Sequence, residues 1–119
     1  VTLIEPHEFD LLAFPRLGDE ARLRGLDWLH LPIRDVGTPG RAFEAAWPGH
    51  SANLRKRLAA GENVVHCLGG LGRGGMIAAR LPTEAGGDPN VAIARVRAVR
   101  PGAIETPAQE NRVRTGPGA

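Results

Sequence analysis

No stretch constrains this chain more than "HCLGGLGRGG", residues 66–75, which sets the single cysteine and an arginine among five glycines. Glycine loses more backbone freedom on folding than any other residue, so such a cluster marks unusual φ or a close approach. The apolar "ENVVHC" (62–67) before it reads as a short buried strand, and "GGMIAARL" (74–81) after it has helical composition. The unit is therefore strand, cysteine, glycine loop, arginine, helix.

That order has a chemical reading. Glycines at 69, 70 and 72 let successive N–H groups turn inward as an anion nest. The orphan N–H groups and the dipole of the following helix add to it. Arg73 contributes a planar fork suited to a tetrahedral oxyanion. The same field favours the thiolate of Cys67, placing a nucleophile at the floor of a phosphate cradle. The cradle is expected to be Leu68, Gly69, Gly70, Leu71, Gly72 and Arg73. Two other readings compete: Cys67 as a buried small hydrophobe, and Gly70-x-Gly72-x-x-Gly75 as a dinucleotide fingerprint. The latter lacks its acidic residue on a following strand, since Asp88 opens a helix instead.

The remaining chain alternates strand-like and helix-like segments, which predicts an α/β fold with a central sheet flanked by helices. "VTLIE" (1–5) and "LDWLHLPI" (26–33) read as strands, the second ended by Pro32. "PHEFDLLAF" and "RLGDEARLRG" read as short helical turns. Thr38 and Pro39 are expected to open the helix "GRAFEAAW", which Pro48 should break before "HSANLRKRLAAG" starts another ended by Gly61. Pro82 should stop or kink the helix after Arg73. Asp88 and Pro89 start a helix with Val91, Ala92, Val96 and Val99 on one face, and Thr106 and Pro107 start a last one through Val113. Residues 1–113 form one domain in this reading, and 114–119 a disordered tail.

Bulk properties narrow the partners. The chain has 119 residues, a net charge of +2 and no tyrosine, so a nucleic-acid surface finds little support. No run approaches the roughly 18 apolar residues of a membrane span. One cysteine excludes an internal disulfide and a multi-cysteine metal site. A reduced, cytoplasmic setting is expected, with no membrane or nucleic-acid partner.

Three stretches, "LHLPIRDVGTP" (29–39), "VVHCLGGLGR" (64–73) and "GAIETPAQ" (102–109), together resemble the cysteine-based protein tyrosine and dual-specificity phosphatases. The likeness is strongest to their cyclin-dependent-kinase-associated group. It implies a phosphatase-type fold, a phosphorylated protein or small phosphomonoester as substrate, no cofactor or metal, and a kinase partner by analogy. It implies Cys67 as nucleophile, Arg73 as phosphate ligand and Asp35 as general acid on a mobile loop. His66 matches the neighbour that tunes the thiolate, and Gln109 a position near the hydrolytic water. Taken singly, Asp35 also reads as a turn residue, His66 as a hydrogen-bonded core histidine and Gln109 as a surface residue. Three features depart from the pattern: Gly74 where the family carries a hydroxyl, Pro82 inside a helix, and a start that omits the family's first strands. They favour a competing reading, a phosphate-binding module that is catalytically slow or inactive.

Overall fold

A computed structural model describes residues 1–62, 64–68 and 71–116. Six helices are present among them: α1 (Glu8–Leu11), α2 (Leu17–Leu23), α3 (Arg41–Ala59), α4 (Gly72–Glu84), α5 (Pro89–Val99) and α6 (Pro107–Thr115). Helix α4 is the centre of the packing, with α3, α5 and α6 against it. Its Met76, Ile77, Ala79 and Leu81 are buried with Leu3, Ile4, Ile33, Ile93, Ile104 and Val113. Each such large side chain contributes roughly 1.5–3 kcal/mol when removed from water.

The expected central sheet is represented, among the described residues, by two isolated parallel bridges, Thr2 to His30 and Thr2 to His66. The segment at 1–4 therefore lies between those at 29–33 and 64–67. Side-chain and proline chemistry explains why the ladder goes no further. The carbonyl of Ile4 is bound by the His30 ring at 2.7 Å, and Pro32 has no N–H to offer. The Leu3 carbonyl is taken by the Ile33 N–H at 2.9 Å.

Local signals at two helix starts hold. Asp88 caps α5 through the Asn90 N–H, and Thr106 caps α6 in a reciprocal capping box with Gln109. Gly61 takes φ +75° just beyond α3, as a C-terminal glycine should. Other expectations need correction. Helix α3 runs through Pro48, because Phe43 and Trp47 before it and Ser51 and Leu54 after it are all buried. That packing outweighs the roughly 3 kcal/mol proline penalty. Helix α4 likewise runs through the exposed Pro82 to Glu84, held by its buried Met76, Ile77, Ala79 and Leu81. Helix α3 starts at Arg41 with Gly40 as N-cap, while Pro39 is buried in a tertiary contact. The inward face of α5 is Ala92, Ile93 and Val96; Val91 and Val99 point to solvent. Helix α6 extends past Val113 to Thr115, and residues 117–119 of the expected tail lie outside the described residues.

Candidate functional site

Cys67 ends its extended segment almost buried and faces the first turn of α4. Its Sγ accepts a hydrogen bond from the Gly74 N–H at 3.4 Å. The helix starts two residues earlier than the composition suggested, so Arg73 lies within its first turn. The positive dipole end of the helix and the Gly74 N–H thus face the sulfur.

Arg73 is 2% exposed. Its Nη1 donates to Glu8 Oε1 at 2.9 Å and to the Ile33 carbonyl at 2.9 Å. Its Nη2 lies 3.3 Å from Asp35 Oδ1. Burial alone would lower its pKa, but the Glu8 hydrogen bond and the charges of Glu8, Asp35 and Cys67 outweigh it and raise the pKa. On the other edge Nε makes no hydrogen bond among the described residues, and Nη2 holds the 3.3 Å ion pair with the exposed Asp35. An oxyanion that displaces that carboxylate can meet two parallel donors there.

Asp35 is exposed, and its Oδ1 also accepts from the Val36 N–H at 2.9 Å. Val36 has φ +60°, a costly conformation for a β-branched residue. Ile104, on the other loop beside the site, also has φ +60° and donates its N–H to the Leu71 carbonyl at 3.0 Å. Of the non-glycine residues with positive φ among the described residues, these two β-branched ones lie in loops beside the site, and Ala13 lies after α1.

Gln109 is fully buried, not a surface side chain. Its Oε1 accepts from the Glu105 and Thr106 N–H groups, and its Nε2 donates to the Gly37 carbonyl at 2.9 Å. It ties the start of α6 to the Asp35 loop, leaving one N–H unused among these contacts.

His66 is half-buried, with Nε2 2.7 Å from Thr2 Oγ1 and Nδ1 3.3 Å from the Cys67 carbonyl. The Thr2 hydroxyl also accepts from Trp28 Nε1 at 2.7 Å. The Cys67 carbonyl can only accept, so a neutral ring making both contacts carries its proton on Nδ1 and takes the Thr2 hydroxyl proton on Nε2.

The glycines serve partly another purpose than a phosphate cradle. A Cβ at Gly72 would lie 2.8 Å from Glu105 Oε1 and 2.9 Å from Gln109 Oε1. One at Gly75 would press Ala103 and Ile104 at 3.1 Å. Both positions admit the 103–109 segment against α4. Gly74 is different, because a Cβ there would sit in ordinary contact, 3.5 Å from Cys67 Sγ. Leu68 is exposed and Leu71 half-buried, while Gly69 and Gly70 lie outside the described residues.

The structure thus brings Cys67, Arg73, Gly74 and Asp35 together, with His66 and Gln109 bracing them. Sequence reading missed Glu8, Thr2 and Glu105, whose Oε1 accepts the Gly72 N–H at 3.0 Å. Thr2 and Glu8 lie 64 and 65 positions from their partners, and no local pattern announces such contacts.

The fold matches solved structures. Tk-PTP in its active form superposes with a TM-score of 0.74 at 32% identity, over 92% of this chain and 71% of that one. Kinase-associated phosphatase with its catalytic-site cysteine changed to serine gives 0.81 at 30% identity, over 94% of this chain and 64% of that one. A glycine-to-alanine mutant form of Tk-PTP gives 0.75 at 31% identity, over 94% and 71%. No family model and no curated protein matches the chain.

Proposed function

This chain belongs to the cysteine-based protein tyrosine and dual-specificity phosphatase family, and from that premise we propose that it hydrolyses phosphomonoesters through a cysteinyl-phosphate intermediate. One observation carries the proposal. Arg73 is buried and anchored through Nη1, while its other edge holds only an exposed carboxylate, that of Asp35, beside a sulfur facing a helix start.

In the first step the Cys67 thiolate, with the Gly74 N–H on its sulfur, attacks phosphorus while the Arg73 guanidinium holds equatorial oxygens. The P–O bond to the leaving group breaks, and Asp35 gives that oxygen its proton. In the second step Asp35 takes a proton from water, the hydroxyl attacks phosphorus, and Cys67 leaves as thiolate. Gln109 holds the acid loop in place through the Gly37 carbonyl. Phosphorylated proteins carrying phosphotyrosine, phosphoserine or phosphothreonine are the proposed substrates. A kinase partner is proposed by analogy with the kinase-associated phosphatase alone. Among the described residues, no helix is long and apolar enough to cross a membrane. A thiolate nucleophile suits a reducing compartment, for which we propose the cytoplasm.

Gly74 favours a second reading within the same fold, a module that binds phosphate and turns over slowly. With no side chain at position 74, the assistance to the departing sulfur among the described residues is a backbone N–H. Hydrolysis of an aryl phosphate by purified protein tests the proposal. Turnover lost in Cys67→Ser supports it, and equal rates for parent and variant would overturn it.

A further inference from the structure

Just upstream of α1, the four residues Glu5, Pro6, His7 and Glu8 form a turn closed by the Glu8 N–H on the Glu5 carbonyl at 2.9 Å. The turn brings one ligand atom each from Glu5, His7 and Glu8 within 4.8 Å of one another. The side chains of Glu5 and His7 make no hydrogen bond or ion pair with described residues. Glu8 supplies an independent sign of a missing partner. Its side chain is 3% exposed and Oε1 accepts from Arg73, but Oε2 is buried with no hydrogen-bond partner among the described residues. A buried carboxylate oxygen in that state lacks something positive beside it.

Charge points to what is missing. Arg73 is the one cation paired with Glu8 and Asp35 among the described residues, and Glu5 adds a third carboxylate. The carboxylates outnumber the guanidinium even when Asp35 holds its proton as the acid, so the excess charge is negative and favours a cation. One imidazole with two carboxylates is a donor set for Zn²⁺ or Mn²⁺, with water completing the coordination.

We propose that Glu5, His7 and Glu8 hold a divalent transition-metal ion, with the Glu8 carboxylate bridging it to Arg73. The ion takes no part in the phosphoryl transfer described above, and the proposal stands whether or not the chain turns over phosphate.

The test uses chelator-stripped protein with Cys67 alkylated, so that the thiol cannot contribute. Calorimetric titration with Zn²⁺ and with Mn²⁺ should give one ion per chain. Co²⁺ should give a ligand-field spectrum of oxygen and nitrogen donors. His7→Ala and Glu5→Gln change exposed or half-buried side chains, so the fold, read by circular dichroism, should persist. Each should weaken binding by roughly tenfold or more, since even residues behind a metal's direct ligands cost that much. His50→Ala, on α3, should leave the affinity unchanged. No stoichiometric binding, or equal affinity in the parent and in the Glu5 and His7 variants, would overturn the proposal. So would a loss in His50→Ala matching that in His7→Ala.

Discussion

Helix α4 carries two arginines, Arg73 and Arg80, each 2% exposed and each in contact with carboxylates. They differ in how completely they are used. Arg80 meets both oxygens of Glu44 at 2.7 Å through Nη1 and Nη2, and Glu84 at 2.5 Å through Nε. Its plane lies over Trp47, 4.9 Å from the ring centroid, and Trp47 Nε1 donates to Glu84 as well. Glu44 also meets Arg112, and Glu84 meets Arg55. Arg73 has one oxygen of Glu8, a backbone carbonyl and a more distant Asp35. Arg80 closes a network, and Arg73 leaves one partly open. Arg80 spends its bidentate edge on both oxygens of one carboxylate, whereas Arg73 gives that edge only a single exposed oxygen at 3.3 Å.

Exchanging one side chain at a time breaks this comparison most directly. Arg73→Lys keeps a cation for Glu8 but loses the planar fork, so the fold should persist while turnover falls about 10³-fold. Arg80→Ala should do the reverse. It takes from Glu44 and Glu84, 16% and 27% exposed, their shortest ion pairs, leaving them Arg112 at 3.3 Å and Arg55 at 3.5 Å, and should cost about 3 kcal/mol, the lower end for a broken buried pair. Thermal melts should then show Tm lower by roughly 10–15 °C, with turnover per folded molecule intact. Melting unchanged in Arg80→Ala, or turnover unchanged in Arg73→Lys, would erase the distinction.

The Asp35 loop sharpens it next. Asp35→Asn should slow substrates with poor leaving groups about 10²-fold and leave those with good leaving groups nearly unaffected, because the latter depart as anions. Rates measured across a series of aryl and alkyl phosphates give the answer. A uniform loss would make Asp35 a structural partner of Arg73, like Glu44 for Arg80.

These two regions also show what a sequence can and cannot reveal. The cysteine, the arginine and the starts of α5 and α6 are legible because each is written in neighbouring residues: a cap, a proline at the first turn, a fixed spacing. Pro48 and Pro82 mislead for the complementary reason. Local chemistry says break, and tertiary packing of Trp47, Leu54 and Leu81 overrules it. Gln109 looked like a surface residue as readily as a site residue until Gly37, 72 positions away, was found to accept from it. Glycines 72 and 75 were legible as a cluster, but part of their cause lies in the 103–109 segment that presses on them.

Gly74 offers a smaller effect of the opposite sign. The space beside Cys67 Sγ admits a Cβ at 3.5 Å, so Gly74→Thr should be accommodated. Its hydroxyl would donate to the departing thiolate, a charge-assisted bond of roughly 1.5–3 kcal/mol. Steady-state turnover should rise about tenfold to a hundredfold, and a pre-steady-state burst in the parent should shrink. If no burst appears in either protein and turnover stays flat, the second step is not limiting, and the slow-module reading gains.

The smallest effect is expected at Thr2, which stands behind the thiol rather than beside the phosphate site. Its hydroxyl receives Trp28 Nε1 and gives its proton to His66 Nε2, which leaves the imidazole proton on Nδ1 facing the Cys67 carbonyl. Thr2→Val keeps the shape and removes that choice. One neutral hydrogen bond is worth about 0.5–1.5 kcal/mol, so the tautomer preference should relax by roughly twofold to tenfold. Nitrogen-15 shifts of the His66 ring should report a single Nδ1–H form in the parent and a mixture in the variant. Cys67 alkylation should change by no more than the same factor, since the Gly74 N–H on Sγ is untouched. An unchanged ring spectrum would mean that the backbone alone orients His66. A collapse of alkylation far beyond tenfold would place Thr2 among the groups that hold the thiolate directly, and the division between an open site and its closed supports would have to be redrawn.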